Sequence, residues 1–262
     1  MTDGSMSGLA AVDVTLTLGG AQVLDRVSVA FRRGRVTALL GPNGAGKSTL
    51  LACLAALRRP DSGAAALDGV DVNALDRRER ARRVGLLPQA ADVHWNVDVR
   101  TLVGLGRLPH RGRAGETEVD RNAVTRALAA TDMTALATRG VEHLSGGERA
   151  RALLARVLAG EPEWLLADEP LASLDPAHQL DVLARLRAVA QAGSGVVLVL
   201  HDLQLAARIA DDAVLLRGGQ VVAAGAAGEV LTASFIGDTY GVDAEIGRTP
   251  RGHPFILPVA RR

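Results

Sequence analysis

The residue types and spacing most suited to chemistry lie in one short segment, GPNGAGKST. It fits the pattern G-x-x-x-x-G-K-[S/T], follows the apolar run VTALL and precedes the helix-like run LLACLAAL. Glycines allow backbone N–H groups to converge on phosphate oxygens, and the N-terminus of the following helix adds positive potential. The segment predicts a phosphate-binding loop that consists of Gly41, Pro42, Asn43, Gly44, Ala45, Gly46, Lys47, Ser48 and Thr49.

Lys47 is the single lysine among 30 basic residues, and the others are arginines. A compact ammonium with freely directed donors fits inside such a tight loop, whereas a planar and bulkier guanidinium does not. We therefore expect Lys47 to lie along the β- and γ-phosphates of a nucleotide. The hydroxyl of Ser48 is expected to bind Mg²⁺.

Two further segments carry candidate chemistry. In LLADEP an apolar run ends in Asp168 and Glu169. Asp168 could hold Mg²⁺ through its water shell, and Glu169 could orient or deprotonate an attacking water. Read alone, such an acidic pair more often starts a loop or caps a helix. The segment LSGGE at 144–148 opens a helix and is either a second anion site or an ordinary N-cap.

Short apolar runs alternate with helix-like segments along most of the chain, and the candidate buried strands are residues 36–40, 84–88, 163–169 and 195–200. This alternation predicts an α/β fold with a mainly parallel sheet. Residues 98–160 are almost wholly helix-like and predict an inserted lobe. Residues 12–18 alternate like a strand, and Gly218-Gly219 predicts the turn of a hairpin within 212–225.

The composition excludes several classes of function. A net charge of +1 provides no overall field for nucleic acid or acidic lipid, and 2% aromatic residues disfavour a base-stacking surface. The lone cysteine, Cys53, allows no internal disulfide. The first residues lack the layout of a signal peptide, and the apolar runs are too short to span a bilayer. We therefore expect a cytosolic, soluble chain with no nucleic-acid partner.

Taken in order, the motifs resemble those of the nucleotide-binding subunit of an ATP-binding cassette (ABC) transporter, over nearly the whole chain. Residues 41–49 resemble Walker A, 144–148 the family signature and 165–169 Walker B. The remaining matches are Gln89 after LLP as the Q-loop residue, SLD at 173–175 as the D-loop and His201 after VVLVL as the switch histidine.

The resemblance implies a P-loop NTPase (RecA-like) core with a mainly parallel sheet, an N-terminal antiparallel β lobe and an inserted helical lobe. It places one ABC ATPase domain at 8–245, with the helical lobe at about 90–160, and a C-terminal extension at 246–262.

The resemblance also implies a head-to-tail dimer of this chain that sandwiches two ATP molecules. Each ATP lies between Walker A of one chain and Ser145, Gly146 and Gly147 of the other, and Asp175 reaches across the interface. The implied catalytic residues are Glu169, His201 and Gln89. His201 contacts the γ-phosphate, and the implied Mg²⁺ ligands are Ser48, Gln89 and Asp168. ATP and Mg²⁺ are the expected cofactors.

One position departs from the family pattern. The family places an aromatic ring, stacked on adenine, where this chain has Leu18. The departure predicts weaker ATP binding or looser base selectivity, unless another residue supplies the stacking.

The stretch VRTLVGLGRLPHRGR at 99–113 resembles the type II importers of iron–siderophore, haem and cobalamin. That resemblance implies two copies of this chain at the cytoplasmic face of the inner or plasma membrane, two transmembrane permease subunits and a separate extracytoplasmic binding protein.

Three alternatives stay open at this point. The stretch GLGRLPH fits a soluble ABC ATPase of the iron–sulfur assembly type poorly. An exporter ATPase would be distinguished by whether a gene for a binding protein lies beside its own. A P-loop small-molecule kinase would leave LSGGE and SLDP unexplained.

Overall fold

A computed structural model describes residues 8–89, 97–113, 115–172 and 174–262. A six-stranded sheet lies at its centre, in the order β10-β9-β3-β8-β7-β6. The strands β3, β6, β7, β8 and β9 run parallel, and β10 pairs antiparallel with β9. Their bounds are β3 Val36–Leu40, β6 Val84–Leu87, β7 Trp164–Asp168, β8 Gly195–Val199, β9 Asp212–Arg217 and β10 Gln220–Ala226.

A second sheet forms an antiparallel β lobe in the order β2-β1-β4-β5, and β11 pairs with β12 in a separate hairpin. These strands are β1 Leu9–Leu18, β2 Ala21–Ala30, β4 Ser62–Leu67, β5 Val70–Asp71, β11 Val242–Arg248 and β12 Pro254–Arg261. The helices are α1 Lys47–Leu54, α2 Arg77–Arg83, α3 Val99–Gly104, α4 Glu118–Ala130, α5 Gly146–Ala159, α6 Pro176–Gln191, α7 Leu203–Ile209, α8 Ala227–Val230 and α9 Ala233–Tyr240.

The inner strands of the central sheet read as unbroken apolar runs because helices or the β lobe cover both faces. Every residue of β3 and β8 is buried. Trp164, at the start of β7, is fully buried, and a Cβ on Gly195 of β8 would lie 2.2 Å from its ring. Glycine at 195 therefore lets the indole pack directly against the neighbouring strand.

The helical lobe is tied together by a buried ion pair. Nε of Arg107 donates to Oδ1 of Asp120 at 2.9 Å, and both residues are at most 3% exposed. The same guanidinium donates to the carbonyl oxygen of Ala159 at 3.0 Å and to Glu161 at 3.0 Å. The amide of Thr117 and this guanidinium hold the pKa of Asp120 far below its usual value. Arg107 thus links the start of α4 to the end of α5.

The predicted fold class is confirmed, including the mainly parallel sheet, the antiparallel β lobe and the hairpin at Gly218-Gly219. Residues 90–96 of the predicted helical lobe lie outside the described residues. The division into 8–245 and 246–262 stays a prediction, and its boundary falls inside β11. Within the described part of the chain, every helix is too short or too polar to cross a bilayer.

Replacing Asp120 by Asn is expected to lower the free energy of unfolding by about 3 kcal/mol at pH 7, because it leaves a buried guanidinium without its main counter-charge. Since the pKa of Asp120 is lowered in the folded state, its contribution is present above the unfolded pKa of about 4 and is lost as the pH falls further. Urea unfolding at pH 7 and at pH 3 measures both effects, and the gap between wild type and variant should narrow at pH 3.

The matched control is Asp132→Asn, which removes an exposed partner of Arg185 and should cost less than about 1 kcal/mol. Equal losses in the two variants would contradict the prediction.

Candidate active site

The phosphate loop connects β3 to α1, and two of its glycines are required by close backbone approaches. A Cβ on Gly41 would lie 2.2 Å from the carbonyl oxygen of Leu216, and one on Gly46 would lie 2.7 Å from that of Val23. Both glycines also have positive φ, 150° and 96°. No other residue type satisfies both conditions without displacing backbone.

The ammonium of Lys47 is held inside this loop. Nζ donates to the carbonyl oxygen of Gly41 at 2.8 Å and to that of Pro42 at 3.0 Å, and the residue is buried. Burial lowers the pKa of Lys47, and the negative charges of Glu169 and Asp168 oppose that effect. The loop therefore holds a partly desolvated cation where a phosphate group could replace the two carbonyl contacts.

Ser48 and Asp168 form a second contact across the site. Oγ of Ser48 donates to Oδ1 of Asp168 at 2.9 Å. Burial raises the pKa of Asp168, and the Ser48 hydrogen bond opposes that rise. A hydroxyl and a partly desolvated carboxylate are oxygen ligands of the kind that Mg²⁺ prefers, so the two side chains fit the predicted ion.

Glu169 lies between the other two predicted catalytic residues. Nε2 of Gln89 donates to its Oε2 at 2.7 Å, and Nε2 of His201 contacts its Oε1. The backbone of Glu169 is left-handed, with φ of 49°, which is uncommon for a residue with a side chain and typical of functional sites. Gln89 and His201 thus each contact one oxygen of the Glu169 carboxylate.

The order of strands explains why these residues meet. The phosphate loop follows β3, His201 follows β8, Glu169 follows β7 and Gln89 follows β6, and these four strands are neighbours. Parallel strands bring their carboxyl ends to the same edge of a sheet, where ligands bind in open α/β folds.

A cavity of about 320 Å³ opens at this edge. Its described lining consists of Val23, Asn43, Gly44, Ala45, Gly46, Lys47, Ser48, Thr49, Glu169 and His201. Val23 was not predicted from the sequence. Its position three residues after the Gly19-Gly20 turn, next to the departure at Leu18, could have indicated it. Leu18 is not among the described lining residues; it is partly buried against the core beneath the β lobe.

The predicted signature and D-loop residues lie at the N-termini of α5 and α6, where Ser145 and Asp175 are the N-caps. Ser145 caps α5 through a reciprocal capping box: its Oγ accepts from the amide of Glu148 at 3.3 Å, and its own amide donates to that carboxylate at 2.8 Å. Asp175 caps α6, accepting from the amide of His178 at 3.0 Å. None of Ser145, Gly146, Gly147 or Asp175 is among the described residues that line the cavity. Ser173 lies outside the described residues.

Comparison with known proteins identifies the family of this chain. A model of the ABC transporter family matches residues 24–172. The chain is 44% identical over 248 residues to the hemin import ATP-binding protein HmuV of Pseudomonas entomophila, covering 92% of this chain and 96% of that protein. It is 42% identical over 243 residues to the cobalamin import ATP-binding protein BtuD of Halobacterium salinarum, covering 91% of this chain and 61% of that protein.

Solved structures show the same fold. A chain from a structure described as a metal-chelate type ABC transporter in an inward-facing conformation superposes with a TM-score of 0.83 at 26% identity, covering 97% of this chain and 98% of that chain. A bacterial ABC transporter cassette solved as a dimer gives a TM-score of 0.73 at 26% identity, covering 83% and 98%. A family model that spans both the phosphate loop and the acidic pair, together with a relative 44% identical over nearly the whole chain, shows that this chain is an ATP-binding subunit of the ABC transporter family.

Proposed function

We propose that this chain hydrolyses ATP in the cavity at the phosphate loop and that hydrolysis drives an importer of haem, cobalamin or iron–siderophore complexes. The observation that carries the proposal is the convergence of Lys47, Ser48 with Asp168, and Glu169 with Gln89 and His201 at one edge of the sheet. The buried ammonium lies beside the oxygen atoms of Ser48, Asp168 and Glu169, which suit Mg²⁺ and water. This arrangement is the one that phosphoryl transfer requires.

In this proposal the nine residues 41–49 bind the phosphates of ATP. The ammonium of Lys47 exchanges its two carbonyl contacts for oxygens of the β- and γ-phosphates. Ser48, Asp168 and Gln89 hold Mg²⁺, which when bound neutralises phosphate charge. Glu169 accepts the proton of a water that attacks the γ-phosphorus, and ADP leaves with the bridging oxygen. His201 turns from Glu169 to the γ-phosphate.

The signature residues Ser145, Gly146 and Gly147 and the D-loop residue Asp175 serve the ATP of a second copy. Support comes from their position at helix N-termini away from the described lining of the chain's own cavity. The N-terminus of α5 presents backbone N–H groups and a positive dipole end, which suit a phosphate. A related cassette is dimeric in its solved structure.

The cargo and the membrane partners are proposed from the relatives. Curated relatives are named for hemin or cobalamin import, and the structural relative is of metal-chelate type. We place two copies at the cytoplasmic face of the membrane, bound to two permease subunits that receive cargo from an extracytoplasmic binding protein. Neither a soluble iron–sulfur assembly role nor export is favoured by these relatives.

Replacing Glu169 by Gln is expected to retain ATP binding and to lower turnover by about 10² to 10⁴-fold, because the amide cannot accept the proton of the attacking water. Phosphate release measures turnover, and size-exclusion chromatography with ATP detects the trapped dimer. The control Glu229→Gln changes an exposed glutamate on α8 and should hydrolyse ATP at the normal rate. Normal turnover in the Glu169 variant would show that the base is assigned wrongly.

Replacing Leu18 by Tyr is expected to lower the KM for ATP by about two- to tenfold, because in our proposal the added ring stacks on the adenine. Steady-state ATPase assays at varied ATP and GTP measure affinity and base selectivity. Leu57→Tyr adds the same ring at an exposed leucine of another surface and serves as the control. A KM unchanged by Leu18→Tyr would show that adenine does not lie beside position 18.

A tagged chain purified from detergent-solubilised membranes of the native cell is expected to carry a polytopic permease in equal stoichiometry, measured by mass spectrometry. An untagged chain treated in the same way is the control. Recovery of a soluble partner without any permease would contradict the importer assignment and leave the ATPase assignment intact.

A further inference from the structure

The imidazole of His178 lies between the D-loop residue and the signature turn of the same chain. Its Nδ1 is 2.7 Å from Oδ2 of Asp175. On its other side the ring lies against Gly147: a Cβ at 147 would be 3.2 Å from Cδ2, 3.3 Å from Cγ and 3.4 Å from Nε2. One side chain thus contacts two segments that are far apart in the sequence.

These contacts contribute little to the stability of the free chain. The side chains of His178 and Asp175 are 40% and 58% exposed, and exposed pairs of this kind contribute between zero and a small stabilisation. The cap of α6 does not need the imidazole, since Oδ1 of Asp175 accepts the backbone amide of His178. The imidazole therefore holds only the second oxygen of Asp175, which the cap leaves available.

Gly147 leaves room for the ring beside the signature turn. A Cβ at 147 would lie within 3.4 Å of three ring atoms, so any other residue there would displace the imidazole from the first turn of α5 by a few tenths of an ångström. The turn itself is fixed by the capping box between Ser145 and Glu148. His178 consequently lies between that turn and the carboxylate of Asp175, which is held at one oxygen by the helix cap and at the other by the imidazole.

We propose that His178 is a positioning residue that holds Asp175 and the signature turn as one unit against the ATP-loaded second copy of this chain. The inference rests on the proposed dimer, in which both segments face the partner. When the interface excludes water, the hydrogen bond between His178 and Asp175 becomes electrostatically stronger than in the exposed free chain. Its contribution is therefore made in the dimer and not in the monomer.

The test uses the full chain with Glu169→Gln, so that ATP is bound without being consumed, and measures the dimerisation constant by analytical ultracentrifugation at saturating Mg²⁺-ATP. Adding His178→Ala or His178→Phe is expected to weaken dimerisation about tenfold, the effect of losing one charge-assisted hydrogen bond. His178→Phe keeps a ring but no donor. His178→Asn, whose amide can occupy the position of Nδ1, is expected to restore most of the affinity.

Two measurements separate positioning from a merely structural role. The melting temperature without nucleotide and the affinity of the monomer for a fluorescent ATP analogue should stay unchanged in all His178 variants. The control His253→Ala, at an exposed histidine in the β11–β12 turn, should leave dimerisation unchanged.

Unchanged dimerisation in His178→Ala and His178→Phe would overturn the inference while leaving the proposed function intact. A fall in melting temperature that accounts for the whole loss of dimer would also overturn it. If the Glu169→Gln chain itself stays monomeric with ATP, the proposed function fails and this inference fails with it.

Discussion

The burial of one ammonium inside a turn of backbone is the constraint on which the site depends. Lys47 can be held by the carbonyl oxygens of Gly41 and Pro42 only if the loop folds tightly against β2 and β9. The loop can fold that tightly only with glycine where neighbouring carbonyl groups approach. The buried strand β3 supplies the fixed start of the loop, and α1 supplies its end.

The carboxylates complete the electrostatics of the cavity. A buried cation is costly unless negative groups lie nearby, and Asp168 and Glu169 raise the pKa of Lys47 against the effect of burial. Burial raises the pKa of Asp168, so a cation bound beside this carboxylate would stabilise its charged form. Both carboxylate oxygens of Glu169 are already in contact with Gln89 or His201, so in the proposed reaction one of these contacts would be exchanged for the attacking water.

The phosphate loop and the signature turn both lie at a helix N-terminus, and they differ in how they are supported. The phosphate loop is embedded between the central sheet and the β lobe, whereas the signature turn belongs to the helical lobe that the buried Arg107–Asp120 pair ties together. Separate supports would allow one turn to move relative to the other in the proposed closure of two chains on ATP. The helical lobe meets α6 at His178, which contacts Gly147, and at Arg185, which contacts Ala130 and Asp132.

The sequence by itself determined the phosphate loop, the acidic pair, the order of the motifs and the α/β fold, because each depends on local spacing and on alternation of apolar runs. Only the tertiary structure decided that Glu169 contacts Gln89, 80 residues away, and His201, 32 residues away. It also decided that Val23 lines the cavity and that His178 rests on Gly147. These pairings depend on the order of the strands in the sheet and on how the lobes pack. Both are set by contacts between segments far apart in the sequence, which local patterns do not encode.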